Sequence, residues 1–278
     1  MNEIEIKPVL KWVGGKRQLL SEISPMIPGE FNKYFEPFVG AGAVIFNLLP
    51  SKAVINDLNS ELINVYKVIR DNPNELIEQL KEHTNSNSKE YFYKVRELDR
   101  QANYDKLSDI YKASRTIYLN KTAYNGLYRV NKSGQFNTPW GRYKNPKILD
   151  ADNILAMSKY FNESKIEILN VDYKKALTSV SKGDFVYFDP PYLPISSSSA
   201  FVSYTADGFG EKEQIELKET CDNLNNQGVK FLLSNSYHPF LLDLYQDYNI
   251  KVVEARRSVN SKGHKRGKIR EILVRNYG

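Results

Sequence analysis

Seven short apolar runs recur along the chain and predict the strands of one β-sheet. They cover residues 33–39, 53–57, 166–172, 184–190, 230–236, 250–255 and 270–276. Several are apolar almost without interruption, which is typical of strands buried on both faces of a parallel sheet. The last two runs are joined by a basic loop without a long helical pattern. We therefore expect them to form an antiparallel hairpin that closes the sheet.

Helical patterns lie between most of these runs, at 41–49, 59–71, 173–181, 211–228 and 238–247. The fourth pattern ends at Gly228, a residue type that often follows the last turn of a helix. Strands that alternate with helices predict an α/β fold, doubly wound, with a mostly parallel, seven-stranded sheet.

The alternation is interrupted once, between Asp57 and Ile166. Helical patterns fill 73–84, 88–100 and 107–120, and a basic stretch rich in Gly, Asn and Pro follows them to about residue 149. Such an interval is too long for a loop in a compact domain. We therefore predict a catalytic domain made of 1–58 and 164–278, with an inserted, mainly helical subdomain at 59–163.

The charge of the chain is concentrated in two basic segments, although the formal net charge is only +6. Residues 110–149 hold eight Lys or Arg and no acid, and residues 255–270 hold seven and no acid. The rest of the chain must therefore sum to −9 (6 − 8 − 7). Two basic segments on an acidic body, the first interleaved with aromatic residues, favour a nucleic acid as partner.

Several classes of protein are disfavoured by the sequence. The longest apolar runs, such as 43–49, are far shorter than the ~20 residues of a membrane span. The first residues, MNEIEIKPVLKW, carry acids where a signal peptide would be basic and then apolar, so we expect a cytoplasmic protein. Cys221 is the single cysteine and the three histidines are scattered, so we expect neither a disulfide nor a metal site.

A first candidate site is the segment YFEPFVGAGAVIFNLL at 34–49, which predicts a strand, a glycine turn and a helix. Gly40 and Gly42 would let a ligand approach the backbone at the start of the helix. A dinucleotide fingerprint would require a third glycine where this chain has Ile45. Asp57 ends the second strand, where an acid can accept hydrogen bonds from ribose hydroxyls. Together these features favour a cofactor that contains a nucleoside.

A second candidate site is GDFVYFDPPYLP at 183–194, where a buried strand ends in Asp189. Two prolines follow; they fix φ and hold the preceding residues extended, so the carbonyl groups are displayed rigidly. A carboxylate and carbonyls accept hydrogen bonds, as an exocyclic amine requires. Tyr192 offers a flat face to a base taken out of its stack.

A third segment, KWVGGKRQLL at 11–20, combines an aromatic residue, two glycines and two cations ahead of a helix. It is not a phosphate-binding P-loop, because Arg17 stands where that motif needs Ser or Thr. From the residues alone, Lys16 could hold a carboxylate, or the segment could only cap the sheet.

Motifs of these three segments, KWVGGK (11–16), FVGAG (38–42) and DPPY (189–192), resemble those of the Dam-type S-adenosylmethionine-dependent DNA adenine-N6 methyltransferases. The stretch TAYNGLYRVNKSGQFNTPWGRYKNP (122–146) is similar to the hairpin with which that family reads DNA. The motif order also resembles that of the group, and the resemblance runs from about residue 8 to the C-terminus. It implies a Rossmann-like fold, S-adenosylmethionine as methyl donor with S-adenosylhomocysteine as product, no metal, and double-stranded DNA as substrate.

The resemblance also implies roles for single residues around the cofactor and the target base. Asp189 and the Pro190 carbonyl would bind the N6 amine, and Tyr192 would stack on the flipped adenine. The catalytic residues would be Asp189, Pro190, Pro191 and Tyr192. The cofactor-binding residues would be Trp12, Lys16, Phe38, Gly40, Gly42, Asp57, Asp172, Tyr173 and Asp189.

On the DNA side, the resemblance assigns Arg129 to a guanine edge, a contact worth ~1–3 kcal/mol of discrimination. Leu127 would touch a thymine methyl group, and Lys11 would make a second guanine contact, as in family members that read GATC. Tyr128 departs from the family pattern. The DNA-binding residues would be Lys11, Tyr124, Asn125, Leu127, Arg129, Lys132, Arg142, Lys262, Lys265 and Arg266.

Other functions stay open at this level. One is adenine-N6 methylation at another sequence or in RNA, and another is nucleic-acid binding by a non-catalytic protein with a methyltransferase-like core. A nicotinamide-dependent dehydrogenase is disfavoured by the missing third glycine and by the two basic segments. We expect a monomer without membrane contact, which acts alone or in a restriction–modification system with an endonuclease that it does not touch.

Overall fold

The strands of the chain form one sheet in the computed structural model, which describes residues 5–12, 14–193, 209–256 and 268–278. The strands are β1 (Tyr34–Glu36), β2 (Lys52–Asn56), β3 (Lys165–Leu169), β4 (Phe185–Phe188), β5 (Lys230–Ser236), β6 (Asn249–Arg256) and β7 (Lys268–Arg275). Their order across the sheet is β3-β2-β1-β4-β5-β7-β6. The first five are mutually parallel, and β7 is antiparallel to both β5 and β6. The predicted sheet and its antiparallel closing hairpin are confirmed.

The described helices account for most of the predicted helical patterns. They are α1 (Leu20–Ile23), α2 (Ala43–Leu48), α3 (Ser60–Asp71), α4 (Pro73–Asn85), α5 (Lys89–Arg96), α6 (Asp109–Thr122), α7 (Ala151–Glu163), α8 (Tyr173–Ala176), α9 (Glu211–Asn226) and α10 (Pro239–Leu244). Five short 3-10 turns add Lys16–Leu19, Ser24–Met26, Glu97–Arg100, Tyr104–Lys106 and Tyr124–Gly126. Gly228 follows α9 with φ of +70°, as its predicted capping role requires.

Two helix predictions differ from the structure. The helix predicted at 173–181 is a single turn, α8, because Thr178 and Val180 are β-branched and disfavour its continuation. In contrast, α7 was not predicted. Its buried Ile154, Met157 and Phe161 have helical spacing, but only one face is apolar, and the preceding basic stretch obscures the start of the helix.

Both faces of the sheet are covered by helices. In β4, Phe185 and Tyr187 point into one core, which the helices α3, α4, α6 and α7 complete. The alternate residues Val186 and Phe188 point into a second core, with apolar side chains of α9 and α10. This alternation explains the continuous apolar runs, because a strand with two covered faces has no polar side.

The helical region between β2 and β3 packs against the sheet through the first of these cores. Leu76, Leu80, Phe92 and Ile117 belong to the same buried cluster as Tyr187 of β4. The core is therefore continuous across the predicted boundaries, and the functional division at 59–163 stays a prediction. None of the helices in the described ranges is long and apolar enough to cross a membrane.

The strand order places the loops after β2, β1 and β4 side by side at one edge of the sheet. β2, the next strand along the chain, lies on one side of β1, and β4 lies on the other side. Open α/β sheets bind ligands at such a reversal of strand order, in the crevice outside the carboxyl ends of the strands. The glycine turn, Asp57 and Asp189 all follow these three strands.

Candidate active site

Asp189 lies directly after β4, at the carboxyl edge of the sheet. Its Oδ1 atom accepts a hydrogen bond from the Ser234 hydroxyl at 3.1 Å and lies 2.8 Å from the Lys16 ammonium nitrogen. Burial raises the pKa of Asp189 to about 6, although Lys16 acts in the opposite direction. The ionised form therefore predominates at neutral pH, and Asp189 is a partly buried acceptor there.

Lys16 is held against this carboxylate and is only 4% exposed. Its ammonium group donates to the Gly14 carbonyl at 2.6 Å and lies 4.6 Å from the centre of the Tyr192 ring. A second carboxylate oxygen, of Glu271, is 4.0 Å away. The ammonium group is thus enclosed by acceptors and by an aromatic face.

Tyr192 is fixed at its hydroxyl as well as over its ring. The hydroxyl donates a hydrogen bond to Glu271 of β7, while the Lys16 ammonium lies over the ring. Nothing in the sequence pattern singles out Glu271, because the acid lies inside a strand pattern 79 residues from Tyr192. Only the pairing of β7 with β5 brings Glu271 to this site.

A buried polar network behind the Asp-Pro-Pro-Tyr turn holds one of its carbonyl groups. The side-chain amide of Gln214, on α9, donates to the Pro191 carbonyl at 3.2 Å. The Gln214 side chain also accepts a hydrogen bond from Asn235 at 2.9 Å, and both of these residues are fully buried. The prolines lack N–H groups, so contacts of this kind orient the turn from its acceptor side.

The glycine turn between β1 and α2 has the predicted left-handed backbone. Gly40 has φ of +48° and Gly42 has φ of +71°. A side chain at Gly40 would begin 3.2 Å from the Trp12 ring, so Trp12 packs directly on the turn. The Tyr66 hydroxyl donates to the Gly40 carbonyl at 2.7 Å and holds the turn from below. The position therefore requires glycine for both its conformation and the space available.

Asp57 is bound to the backbone of this turn. Its two carboxylate oxygens accept the Gly40 N–H at 3.0 Å and the Asn59 N–H at 2.9 Å. Burial raises the pKa of Asp57, and these N–H groups oppose the rise. Because each carboxylate oxygen can accept more than one hydrogen bond, Asp57 retains capacity for ligand hydroxyls.

Aromatic rings line the same edge of the sheet beside Asp57. Phe38 lies 5.1 Å from Tyr173 and 5.9 Å from Phe209, measured between ring centres. Asp172, next to Tyr173, accepts a hydrogen bond from the Lys174 N–H and caps α8. This cap is a structural role for Asp172, beside the cofactor role that the sequence predicts.

Glu36 is a buried carboxyl at the end of β1 that was not among the predicted site residues. It lines a narrow cleft together with Trp12, Lys16, Gly40 and Asp189. Its Oε2 atom accepts the Tyr34 hydroxyl at 2.8 Å, and burial holds its pKa well above the usual value. The sequence feature that could have indicated Glu36 is its position as an acid at the end of the first strand, in FEPF. The cleft therefore joins the glycine turn to the carboxylate of the Asp-Pro-Pro-Tyr turn.

The segment predicted to read DNA forms a hairpin next to this cleft. Val130 and Phe136 form an antiparallel bridge, and the Asn131 N–H donates to the Gln135 carbonyl at 2.8 Å. Most of the predicted DNA contacts in this region are exposed, and Leu127 is half-buried. The exposed residues are Tyr124, Asn125, Arg129, Lys132 and Arg142.

Lys11 is brought to this hairpin by the buried amide of Asn120. The Asn120 side chain accepts the Lys11 N–H at 2.8 Å and donates to the Lys11 carbonyl at 2.8 Å. It also donates to the Gly126 carbonyl at 3.0 Å. The three hydrogen bonds join the N-terminal segment to the start of the hairpin, so Lys11 is fixed beside the hairpin.

The family model of the D12 class N6 adenine-specific DNA methyltransferases matches residues 12–259 of the chain. The match covers the cleft and the hairpin. The chain belongs to this family. The protein is an adenine-specific DNA methyltransferase, as the sequence predicted.

Curated relatives are similar to this methyltransferase over nearly its whole length. The type II methyltransferase M1.LlaDCHI of Lactococcus lactis subsp. cremoris is 50% identical over 277 residues, which are 100% of this chain and 98% of the relative. The type II methyltransferase M.MjaIII of Methanocaldococcus jannaschii is 44% identical, over 99% and 100%. The DNA adenine methylase of Escherichia coli (strain K12) is 34% identical, over 95% and 93%.

One cation of the first basic segment does not lie on the surface of the methyltransferase. Arg115 is buried, pairs with Asp99 at 2.8 Å and donates to the carbonyls of Val95 and Arg96. The net charge of residues 110–149 is therefore larger than the charge that this segment exposes. Lys262, Lys265 and Arg266 lie outside the described residues. Among the described residues, no group of three or more His, Cys, Asp or Glu side chains is arranged to hold a metal.

Proposed function

We propose that the methyltransferase transfers a methyl group from S-adenosylmethionine to N6 of an adenine flipped out of duplex DNA, within the sequence GATC. The observation that carries the proposal is the shared cleft, which Asp189 lines together with Gly40 and Trp12. One wall resembles a nucleoside-cofactor site, and the other presents acceptors for an amine. Methyl transfer requires the cofactor and the amine to be in contact, so both walls must belong to one cleft.

The residues present fit a cofactor of this kind. The turn between β1 and α2 has the left-handed backbone that needs glycine at Gly40 and Gly42, and Asp57 offers acceptors for ribose hydroxyls. The residues proposed to hold the cofactor are those predicted from the sequence: Trp12, Lys16, Phe38, Gly40, Gly42, Asp57, Asp172, Tyr173 and Asp189. When bound, S-adenosylmethionine supplies a methyl group already activated by its sulfonium.

Asp189 and the Pro190 carbonyl are proposed to accept the two N–H groups of the adenine amine. The amine is a poor nucleophile because its lone pair is delocalised into the ring. Two acceptors favour a more tetrahedral nitrogen and stabilise the positive charge that it acquires. The contacts of Lys16 support this assignment, because Asp189 and the face of Tyr192 both attract its ammonium group, a donor of N–H groups.

Alignment of the reacting atoms provides the remaining catalysis in this proposal. Tyr192 stacks on the flipped adenine, and the buried network behind the turn holds the acceptors in place. No general acid is needed, because the sulfonium leaving group is neutral after transfer. The methylated nitrogen then loses one proton to water, which restores a neutral amine. Positioning of this kind can provide several kcal/mol of the barrier reduction, ~7–11 kcal/mol at its upper range.

Sequence recognition is proposed to use the hairpin and Lys11. Arg129 reads one guanine and Lys11 a second, Leu127 contacts a thymine methyl group, and Tyr124 or Asn125 fills the gap left by the flipped base. Support comes from the hydrogen bonds of Asn120 that join Lys11 to the hairpin and from the exposure of the proposed polar and aromatic contacts. The DNA adenine methylases among the relatives support an adenine target.

The domain roles follow from this assignment. Residues 1–58 and 164–278 are proposed to form the catalytic domain, and 59–163 the target-recognition domain. We further propose that the protein acts as a monomer. The names of two relatives, both type II methyltransferases, support a role in a restriction–modification system.

Incubation with S-adenosylmethionine labelled in its methyl group and a plasmid, followed by sequencing that maps N6-methyladenine, tests the proposal. We expect methylation at GATC. Methylation at another sequence would contradict the proposed recognition sequence but not the proposed reaction. In a parallel reaction with RNA, labelling of the RNA without labelling of the plasmid would overturn the proposal that duplex DNA is the substrate.

Two variants test the residue roles in the same assay. Asp189→Ala should abolish methyl transfer and leave duplex binding largely unchanged, because it removes an amine acceptor and no phosphate contact. Arg129→Ala should cost about 1–3 kcal/mol of discrimination at one guanine. Comparable activity in the first variant, or unchanged base preference in the second, would contradict the assigned role.

A further inference from the structure

Tyr128, between two proposed base-contacting residues, lies against the cofactor side of the cleft. Its ring stacks on Trp12, with ring centres 5.0 Å apart and an angle of 26° between the planes. Trp12 in turn packs on Gly40, 3.2 Å from the position that a Cβ atom there would occupy. The glycine turn, Trp12 and Tyr128 thus form three consecutive layers.

The glycine turn on which Trp12 packs is itself bound to the proposed ribose acceptor. The Gly40 N–H donates to Asp57 at 3.0 Å, and the Asn59 N–H donates to the same carboxylate at 2.9 Å. One side chain of the hairpin, Tyr128, therefore stacks on a residue of the cofactor wall, Trp12, which in turn packs on the turn that is bound to Asp57.

The hairpin around Tyr128 is held by contacts on both sides of this residue. Tyr128 packs edge-on against Phe136 with ring centres 5.7 Å apart. The Phe136 N–H is anchored to Asp99 at 2.7 Å, and Arg129 donates to the Asn137 side chain at 2.7 Å. Any shift of the Tyr128 backbone would therefore move Arg129, the neighbouring proposed guanine contact.

We propose that Tyr128 is a positioning residue that couples cofactor binding to DNA binding in this methyltransferase. A cofactor that fixes Trp12 and the glycine turn also fixes the platform on which Tyr128 stacks, and so positions the reading hairpin. By linkage, DNA that fixes the hairpin must raise the affinity for the cofactor by the same factor. This inference rests on the proposed function, because it needs both ligands at the proposed walls.

The test measures the affinity for S-adenosylhomocysteine by calorimetry, with and without a GATC duplex, in the wild type and in variants. The ratio of the two dissociation constants is the coupling factor. Tyr128→Ala should lower this factor about two- to tenfold, the range expected from the loss of one aromatic stack. Tyr128→Phe keeps the stack and should retain most of the coupling, and Tyr128→Leu replaces Tyr128→Ala if the latter does not fold.

Tyr93→Ala is the matched control, since its ring contacts are with Phe92 and Arg96 in the helical region. It should leave the coupling factor unchanged. A coupling factor of one in the wild type, an unchanged factor in Tyr128→Ala, or an equal loss in Tyr93→Ala would overturn the inference. In each of these cases the proposed function still stands, provided that the wild type methylates adenine. If the wild type methylates no adenine, the proposed function fails and the inference fails with it.

Discussion

At the scale of single residues, the charge of Asp189 is the property on which the proposed reaction depends most. Two donors, the Lys16 ammonium and the Ser234 hydroxyl, meet its Oδ1 atom. Burial nevertheless raises its pKa to about 6, within the range in which cells and assays operate. A carboxyl that accepts an amine N–H must be ionised, so the environment of Asp189 links activity to pH.

The first prediction concerns this link. As pH falls through about 6, Asp189 becomes protonated, and kcat/KM for methylation should decline, by tenfold per pH unit well below that value. Ser234→Ala removes a donor that favours the ionised form, so the acidic limb should move to higher pH. Initial rates of the wild type and of Ser234→Ala from pH 5 to 9 measure the acidic limb of each enzyme. A limb of Ser234→Ala that coincides with the wild type, or lies below it, would contradict the assignment.

The second prediction concerns Glu271, which accepts the Tyr192 hydroxyl. Glu271→Ala and Tyr192→Phe each remove this hydrogen bond, and each should lower kcat by about ten- to a hundredfold, because a hydrogen bond to a charged group contributes ~1.5–3 kcal/mol. The double variant should be no slower than the slower single variant. Single-turnover rates give the comparison.

Glu271→Gln serves as the control for that pair, because an amide oxygen can still accept the Tyr192 hydroxyl. It should retain most of the activity. If the two losses multiply in the double variant, Glu271 acts on something other than Tyr192, and the prediction fails.

At the scale of elements, the site depends on side chains that join segments remote in sequence. Asn56 at the end of β2 donates to the Pro37 carbonyl and to the Val171 carbonyl, each at 3.0 Å. One amide thus holds together the loops after β1, β2 and β3. Asn120 of α6 does the same for the N-terminal segment and the hairpin. The turns of the site are therefore defined by buried amides as much as by their own residues.

The third prediction tests the Asn120 contacts. Asn120→Ala leaves three backbone groups of Lys11 and Gly126 without their partner, and each buried unsatisfied group costs ~1–3 kcal/mol. We expect the free energy of unfolding to fall by about 2 kcal/mol or more, measured by urea denaturation.

Asn162→Ala is the matched control, because this exposed amide also bonds backbone carbonyls but water can replace it. It should cost less than about 1 kcal/mol. Equal losses in the two variants would mean that the buried position of Asn120 does not matter.

At the scale of the whole molecule, charge is divided between the surface and the core. The hairpin and the chain after it expose Arg129, Lys132 and Arg142, whereas Arg115 is buried against Asp99. Only exposed cations can neutralise DNA phosphates and release counterions. The net charge of a segment therefore does not measure its contribution to DNA affinity.

The fourth prediction separates these two roles. Replacing Arg129, Lys132 and Arg142 by Gln should flatten the dependence of log K on log salt, by ~0.9 for each DNA phosphate that the variant no longer neutralises. Neutralising Lys262, Lys265 and Arg266 should do the same if the segment that holds them touches phosphate. Arg115→Met should leave this slope unchanged and destabilise the fold by ~3–5 kcal/mol, as loss of one partner of a buried pair does. A changed slope in Arg115→Met would place this residue on the DNA surface.

The amino-acid sequence was sufficient to predict the seven strands, their mostly parallel arrangement and the positions of Asp57, Asp189 and the glycine turn. These features are local, because a run of apolar residues records how deeply a strand is buried, and a glycine or proline records what its own backbone must do. The positions of the strand ends then follow, since parallel strands that are neighbours end at the same edge of the sheet.

The side chains that complete the site become apparent only in the folded chain. Glu271 reaches Tyr192 from 79 residues away, and Asn120 reaches Lys11 from 109 residues away. The burial of Arg115 and the stack of Tyr128 on Trp12 are equally invisible in the sequence pattern. Periodicity records whether a residue faces the core, but it carries no information about which distant residue it meets there. That partner is chosen by the order of the strands and the packing of the helices upon them.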